Sequence, residues 1–161
     1  MSSRLKGVLY RVWRVLPWPV RVFAVRRITP SFWVGALCMV ERADGAVLFV
    51  RQSYRKSWGL PGGLLKRNEE PADGAAREAA EEVGLELVVN DAPTVVVDAR
   101  SRRVDIIYRA RPTGDQEPSP QSPEILEARW FSLDNLPRLQ GESARAIMAV
   151  NRARRAAHPP S

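Results

Sequence analysis

The sequence predicts an α/β (α+β) domain whose elements run strands, helix, strands, helix, behind a helical N-terminal segment. Three observations predict this order: apolar, β-branched runs that start after Ser31, an alanine-rich run over residues 70–84, and a helical run over residues 141–157. A chain of 161 residues suits one domain. At this size about 70% of the surface exposed on unfolding can be buried. We therefore expect one hydrophobic core.

The chain contains one cysteine, Cys38, and one histidine, His158. A single cysteine excludes an intramolecular disulfide framework, which fits a reducing, cytoplasmic compartment. Because Cys38 lies in the apolar run "FWVGALCMV", we interpret it as core packing rather than as a nucleophile. The lone histidine argues against histidine-dependent triads and against zinc sites built from histidine and cysteine.

Residues 1–30 form a basic amphipathic segment, which we separate from a main domain at residues 31–156. Apolar residues recur there at helical spacing up to a break at "PWP", with basic residues elsewhere around the helix: Leu5, Val8, Leu9, Val12 and Leu16 against Arg4, Arg11 and Arg14. The segment contains no acid and carries the whole net charge of +7, because the remaining residues balance 18 basic with 18 acidic side chains. Its arginines interrupt every apolar run, which argues against a signal peptide and against a membrane span of about 18 apolar residues.

Three interpretations of residues 1–30 stay open. The segment is a helix packed on its own domain or on the partner subunit of a homodimer, a helix at a membrane surface that would make the protein membrane-peripheral, or a mobile basic arm that binds an acidic polymer. A nucleic-acid-binding core would carry its own basic face. Because the main domain is neutral, we do not expect nucleic acid as a partner.

The main domain starts with two strand-like runs. "SFWVGALCMVER" and "AVLFVRQSY" are joined by "ADGA", whose Asp44-Gly45 predicts a β-hairpin. After a glycine-rich loop, "EPADGAAREAAEEVG" is typical of a helix with Pro71 in its first turn and Gly84 at its end. The apolar face of this helix is mostly alanine, so we expect it to approach a sheet closely.

The second half predicts more strands and a last helix. "LELVVNDAPTVVVDAR", "RRVDIIYRARP" and "ILEARWFSL" are strand-like, "DNLPR" is a turn or short helix, and "GESARAIMAVNRARRAA" is a terminal helix. The polar, proline-rich stretch "PTGDQEPSPQSP" predicts a surface loop.

Glutamates at positions 78, 81 and 82 fall on one face of the alanine-rich helix. Like charges three or four residues apart destabilise an isolated helix by roughly 0.2 to 0.5 kcal/mol per pair. Such a run is most often a solvated acidic face. Together with the preceding glycine-rich turn, however, it also suits Mg²⁺, which prefers oxygen ligands and is usually shared with substrate phosphates.

The wider spacing resembles the Nudix box over residues 63–85. Gly63 is followed after five residues by Glu69, and after seven more by "REAAEEVGL". The one soft position is Ala79, which is smaller than the aliphatic residue common there. The resemblance implies a Nudix fold, in which a mixed β-sheet is sandwiched between helices. It also implies a pyrophosphohydrolase that cleaves the diphosphate linkage of a nucleoside diphosphate derivative: a nucleoside triphosphate, a nucleotide sugar or a dinucleotide.

Carried over by position, the resemblance implies a site for Mg²⁺ or Mn²⁺. Its ligands would be Glu78, Glu81 and Glu82, with the backbone carbonyl of Gly62 as a further ligand. Glu69 would be an outer ligand or a partner that holds the site.

The resemblance implies that Arg77 is structural and pairs with a carboxylate; a solvent-facing arginine is the alternative. The general base must reach the attacking water directly or through one further water. The family pattern leaves Glu81, Glu82 and Glu124 as candidates, and it favours the two box residues. Glu127 is expected to be structural or substrate-facing.

The substrate-binding residues lie outside the box. Signatures for NADH, ADP-ribose, diadenosine polyphosphates and coenzyme A are absent; Ser101, for example, stands where ADP-ribose pyrophosphatases place a proline. Cationic and aromatic candidates for phosphate, ribose or base contacts are Arg51, Arg55, Lys56, Arg103, Tyr54 and Trp58. Solvated charge and ordinary packing are the alternatives for these side chains. A non-catalytic binding or regulatory module that docks a membrane, nucleic acid or protein through residues 1–30 is the alternative for the whole chain, although the intact glutamate set disfavours it.

Overall fold

The computed structural model describes residues 3–90 and 92–157. These fall into two compact units, Met1–Phe32 and Trp33–Ser161. The elements in chain order are α1 (Ser3–Val15), α2 (Trp18–Ile28), β1 (Trp33–Val40), β2 (Val47–Gln52), β3 (Gly62–Leu64), α3 (Pro71–Val83), β4 (Leu87–Val89), β5 (Thr94–Asp98), β6 (Arg103–Pro112), β7 (Ile125–Phe131) and α4 (Gly141–Ala157).

The first unit consists of α1 and α2. Pro17 separates the two helices: its backbone is extended, and α2 starts directly after it with Pro19 in the first turn, where a missing N–H costs nothing. The helical segment that the sequence predicted, with a break at "PWP", is therefore present as two helices. Within the part of the chain that the structure describes, no helix is long and apolar enough to cross a membrane.

The second unit contains two sheets. The larger sheet has the order β3-β1-β6-β4, with β5 also pairing with β6. Strands β1 and β6 are parallel, and the other pairs are antiparallel, so the sheet is mixed. The second sheet contains β2 and β7, which are antiparallel.

The prediction that β1 and β2 form a β-hairpin is wrong, because the two strands do not pair with each other. The turn itself forms: Gly45 adopts φ +85°, and the N–H of Arg42 donates to the carbonyl of Ala46 at 2.9 Å. However, β1 pairs with β3 and β6 on its two edges, and β2 pairs with β7. An isolated bridge joins Glu41, the residue after β1, to Val47 at the start of β2. The turn reverses the chain from one sheet into the other.

The core has two halves on the two faces of the large sheet. Alternate residues of β1 point to opposite faces: Cys38 packs in one cluster with Ala75 and Val83 of α3, whereas Met39 packs in the other with Ile147 of α4. A sheet covered by a helix on each face is the sandwich that the box resemblance implied. Cys38 is fully buried, and burial raises the pKa of its thiol to about 12, which fits a packing role.

Helix α3 carries the glutamates and packs closely on the sheet. Ala75, Ala79 and Val83 are fully buried because their small side chains let the helix backbone approach the strands. Gly84 ends the helix in the left-handed conformation, with φ +70°, and its N–H donates to the carbonyl of Ala80 at 3.0 Å. Both ends of α3 therefore lie where the sequence predicts them.

Candidate functional site

One cavity of about 410 Å³ gathers most of the predicted site residues. Its lining comes from β1, β2, β3, α3, β6 and α4 and from the loops before β3, β7 and α4: Leu37, Gln52, Tyr54, Arg55, Leu60, Gly62, Gly63, Leu64, Glu78, Glu82, Arg103, Glu124, Gln140, Glu142 and Ser143. Four carboxylates and two guanidinium groups thus share one cavity. Such a lining suits a ligand that carries both negative charge and cations.

Glu78 lies directly against the backbone of Gly63. A Cβ atom placed on Gly63 would stand 2.6 Å from the carboxyl carbon of Glu78. The backbone of Gly63 is not left-handed, so glycine is needed here for the close approach of the carboxylate rather than for its conformation. The glycine and the glutamate of the box, fifteen residues apart in sequence, are therefore in contact.

Glu82 lies one turn after Glu78 and is buried. Its Oε2 accepts a hydrogen bond from the N–H of Gly62 at 3.0 Å. Desolvation by burial raises the pKa of Glu82 to about 7; the Gly62 N–H opposes this rise, and the negative charges of Glu78 and Glu124 add to it. Glu82 is therefore a carboxylate whose charge the protein alone stabilises poorly.

Gly62 has a conformation that only glycine tolerates well. Its φ is +144°, and a Cβ would stand 2.8 Å from the Cα of Leu37 and closer still to the carbonyl of Ala36. This arrangement turns the N–H of Gly62 toward Glu82. The carbonyl of Gly62 remains a predicted metal ligand.

Arg77 forms hydrogen bonds with three carboxylates at once. Its Nε and Nη2 donate to the two oxygens of Glu69 at 2.6 and 3.1 Å, and its Nη1 donates to Glu78 at 2.8 Å and to Glu81 at 2.9 Å. These hydrogen bonds, led by the pair to Glu69, raise the pKa of Arg77 above its ordinary value. The arginine faces carboxylates rather than solvent.

Glu69 holds the loop before α3. Besides the fork from Arg77, its Oε2 accepts a hydrogen bond from the N–H of Lys66 at 2.7 Å. The Arg77 hydrogen bond is the main reason that the pKa of Glu69 falls to about 2. These hydrogen bonds tie the loop to α3, and a role for Glu69 at the metal site stays a prediction.

Glu81 stands apart from the cavity lining. Its side chain is half exposed and accepts hydrogen bonds from Arg77 and from the Nζ of Lys66 at 3.4 Å. Desolvation acts to raise its pKa, but these two cations lower the pKa below its ordinary value. Glu78 and Glu82 thus reach the cavity, whereas Glu81 is held beside it.

Two of the cationic candidates, Arg55 and Arg103, line the cavity. Arg55 donates through Nη1 to Glu142 at 2.7 Å and to Gln140 at 3.3 Å. Arg103 donates through Nε to the buried carboxylate of Asp105 at 2.6 Å. Arg103 and Asp105, two residues apart on β6, therefore lie on the same side of the strand.

Arg51 and Trp58 lie elsewhere. Arg51 forms an ion pair with Glu127 across the β2–β7 pair, which also gives Glu127 its structural role. Trp58 packs edge-on against Phe131, with ring centroids 4.9 Å apart. Neither residue lines the cavity, and substrate binding by these two stays a prediction.

The sequence reasoning missed Gln140, Glu142 and Ser143, which lie at the start of α4. Gln140 is buried and donates to the carbonyl of Ser57 at 3.2 Å, and the hydroxyl of Ser143 accepts a hydrogen bond from the N–H of Leu60 at 2.9 Å. These residues lie far along the sequence from Glu78 and Glu82. No local sequence pattern therefore indicates that α4 begins at the cavity.

Residues 31–150 match the family model of the NUDIX domain. The chain belongs to the Nudix family. A "MutT-like protein" of Streptomyces ambofaciens is 31% identical over 113 residues, which cover 70% of this chain and 72% of that protein. These matches confirm the assignment of the chain to the Nudix hydrolases.

Solved structures confirm the Nudix fold. A NUDIX hydrolase from Nitrosomonas europaea is similar with a TM-score of 0.69 at 25% identity, over 81% of this chain and 76% of that chain. An ADP-ribose pyrophosphatase from Streptococcus suis is similar with a TM-score of 0.65 at 25% identity, over 78% of this chain and 94% of that chain. The mixed sheet between α3 and α4 is thus the family's architecture.

Proposed function

We propose that this Nudix hydrolase cleaves the diphosphate linkage of a nucleoside diphosphate derivative with the help of a divalent cation. The observation that carries the proposal is that Glu78, Glu82 and Glu124 line one cavity with Arg55 and Arg103. A diphosphate is a compact polyanion, so it needs cations on more than one side. Metal-binding carboxylates and guanidinium groups in one cavity meet that need.

Among the described residues, no three carboxylates converge on one point, but Mg²⁺ and Mn²⁺ suit a site in which one or two carboxylates share the ion with substrate phosphates. Glu78 and Glu82 supply hard carboxylate oxygens one helical turn apart, and Gly62 would add its carbonyl. Glu82 is buried with its pKa raised to about 7 because burial disfavours its charged form. A cation beside Glu82 would stabilise that charged form. When bound, the ion would neutralise phosphate charge and make a bound water more acidic. Glu81 would join as a ligand by exchanging its bonds with Arg77 and Lys66 for the ion.

Two carboxylates are our candidates for accepting the proton of the attacking water. Glu82 and Glu124 both line the cavity, and a proton acceptor must reach the attacking water directly or through one further water. Glu81, held by Arg77 and Lys66, is less well placed. We therefore assign the proton acceptor to the pair Glu82 and Glu124, to be separated by the pH–rate profiles of the two Gln variants.

Arg55, Arg103 and Tyr54 would bind the substrate. Asp105 accepts a hydrogen bond from the Nε of Arg103 and so orients the guanidinium group. The terminal nitrogens of that group would donate to phosphate oxygens. Tyr54 lines the same cavity, is exposed, and lies 5.9 Å from the Arg55 guanidinium. An exposed aromatic ring beside a cation suits stacking on a nucleobase next to its phosphates.

The test is hydrolysis of a panel of dinucleotides, nucleotide sugars and nucleoside triphosphates with Mg²⁺ or Mn²⁺, with products identified by mass. We expect metal-dependent release of a nucleoside phosphate. Glu78→Gln and Glu82→Gln should each lower kcat/KM by about a hundredfold or more, the scale found when a group that stabilises developing charge is removed.

Glu86→Gln is the matched control, because Glu86 is exposed and lies just beyond α3. It should leave kcat/KM unchanged. Equal activity of the wild type and both cavity variants would rule out the cavity as the catalytic site.

A further inference from the structure

The unit formed by α1 and α2 exposes apolar side chains that helices normally bury. Val15, Trp18 and Ile28 are 81%, 73% and 79% exposed, and Tyr10 and Phe23 are also exposed. Helix α2 has no buried residue. An exposed apolar surface of this kind marks a contact site for another molecule or a membrane.

All charged side chains of the same unit are cations. No acidic residue occurs before Glu41, so its arginines have no carboxylate within the unit to pair with. Arg14 lies in the last turn of α1, and Arg26 and Arg27 lie in the last turn of α2. The side chains of Arg11, Arg14, Arg26 and Arg27 are exposed. The molecule that covers this surface must therefore be anionic as well as apolar.

Cationic and apolar groups meet at one groove on α2. This groove, of about 320 Å³, is lined by Trp18, Pro19, Val22 and Phe23, with Arg26 as its charged lining residue. Nucleic acid phosphates would satisfy the arginines but would leave Val15 and Ile28 in water. A lipid surface satisfies both, because aromatic rings and arginine heads settle at the headgroup level while aliphatic groups enter the acyl region.

We propose that α1 and α2 bind the surface of an anionic lipid bilayer, with their aromatic and aliphatic side chains inserted at the headgroup boundary and their arginines on lipid phosphates. The contact is independent of the hydrolytic cavity, since none of the residues that line the cavity belongs to α1 or α2. It would concentrate the Nudix domain at a membrane.

The test is co-sedimentation of the full chain with vesicles of phosphatidylcholine alone and of phosphatidylcholine mixed with phosphatidylglycerol. The wild type should sediment with the mixed vesicles and much less with phosphatidylcholine alone. The triple variant Arg11→Gln, Arg14→Gln, Arg26→Gln should bind the mixed vesicles about a hundredfold more weakly, because each basic residue near an anionic surface strengthens binding about fivefold.

A matched control removes the same charge from the other unit: Arg100→Gln, Arg111→Gln, Arg155→Gln. These three side chains are exposed, and this variant should bind the mixed vesicles like the wild type. If the two triple variants lose binding equally, binding follows net charge alone and the proposed surface is wrong.

A second pair of variants tests insertion. Trp18→Ser with Phe23→Ser should weaken vesicle binding at least about tenfold, whereas Trp18→Phe with Phe23→Leu should retain it. Unchanged binding by the serine pair would overturn insertion. Two further results would overturn the proposal: a lipid-free dimer that the serine pair converts to monomer, or preference for a single-stranded oligonucleotide over the mixed vesicles. Each readout is binding or assembly, so none depends on the hydrolytic activity.

Discussion

Gly63→Ala should weaken catalysis strongly while it preserves the fold. The new Cβ would stand 2.6 Å from the carboxyl carbon and from Oε1 of Glu78. The carboxylate must retreat by about 0.8 Å to reach an ordinary contact distance of about 3.4 Å. A misplacement of about 1 Å in a catalytic group can cost about a hundredfold in rate. We therefore expect kcat/KM to fall about a hundredfold, which corresponds to about 2.7 kcal/mol of lost transition-state stabilisation.

Stability should respond differently, because the atoms in the way are the end of a flexible side chain and the backbone of Gly63 is not left-handed. Alanine also restricts the unfolded chain, so the free energy of unfolding should change by less than about 1 kcal/mol. The measurements are kcat/KM with Mg²⁺ on the best substrate of the panel and urea unfolding followed by circular dichroism. Gly7→Ala, whose Cβ meets nothing within 4 Å, is the control and should keep full activity. A folded Gly63→Ala protein with wild-type kcat/KM would show that the position of Glu78 does not matter, and an unfolded one would show that the carboxylate cannot move aside.

Three further predictions concern stability and reactivity. Gly62→Ala should destabilise the fold by roughly 2 to 5 kcal/mol, because φ +144° disfavours alanine and the Cβ would strike backbone atoms of the neighbouring strand; a urea midpoint equal to that of Gly63→Ala would contradict this. Because burial raises the pKa of Glu82 from 4.5 to about 7, the protonated form favours folding. The metal-free protein should therefore lose about 3 kcal/mol of stability as the pH rises through that window, and urea titrations should show Glu82→Gln without this loss. Cys38, fully buried with its pKa raised to about 12, should resist iodoacetamide at neutral pH until urea unfolds the protein; rapid native labelling measured by mass would refute its burial.

The local sequence determined the glutamate helix and its ends. Pro71 and Gly84 bound α3 where their backbone preferences require, and the helical spacing alone places Glu82 one turn after Glu78. The resemblance to the Nudix box implied that Arg77 pairs with a carboxylate, and in the structure Arg77 joins Glu69 to Glu78. The ends of the helix and the spacing of its glutamates depend on few residues, so periodicity and local conformation suffice to predict them.

Strand pairing needed the tertiary structure. A two-residue turn predicts that neighbouring strands pair, yet β2 pairs with β7 and β1 pairs with β3 and β6. Both faces of β1 and β2 are buried, so no alternation of polar residues marks which edge each strand uses. The choice depends on which arrangement buries all these faces between α3 and α4, which is a property of the whole domain.

The cavity likewise required the folded chain. The sequence named Glu82, Glu124, Arg55 and Arg103 as candidates, but it also named Arg51, which pairs with Glu127. All three arginines pair with carboxylates, and only the folded chain shows that Arg55 and Arg103 also line the cavity, whereas Arg51 does not. The sequence by itself therefore determined the family, through the resemblance of one loop and one helix to the Nudix box. Only the tertiary structure decided which distant cations share a cavity with it, because long-range strand pairing sets those distances.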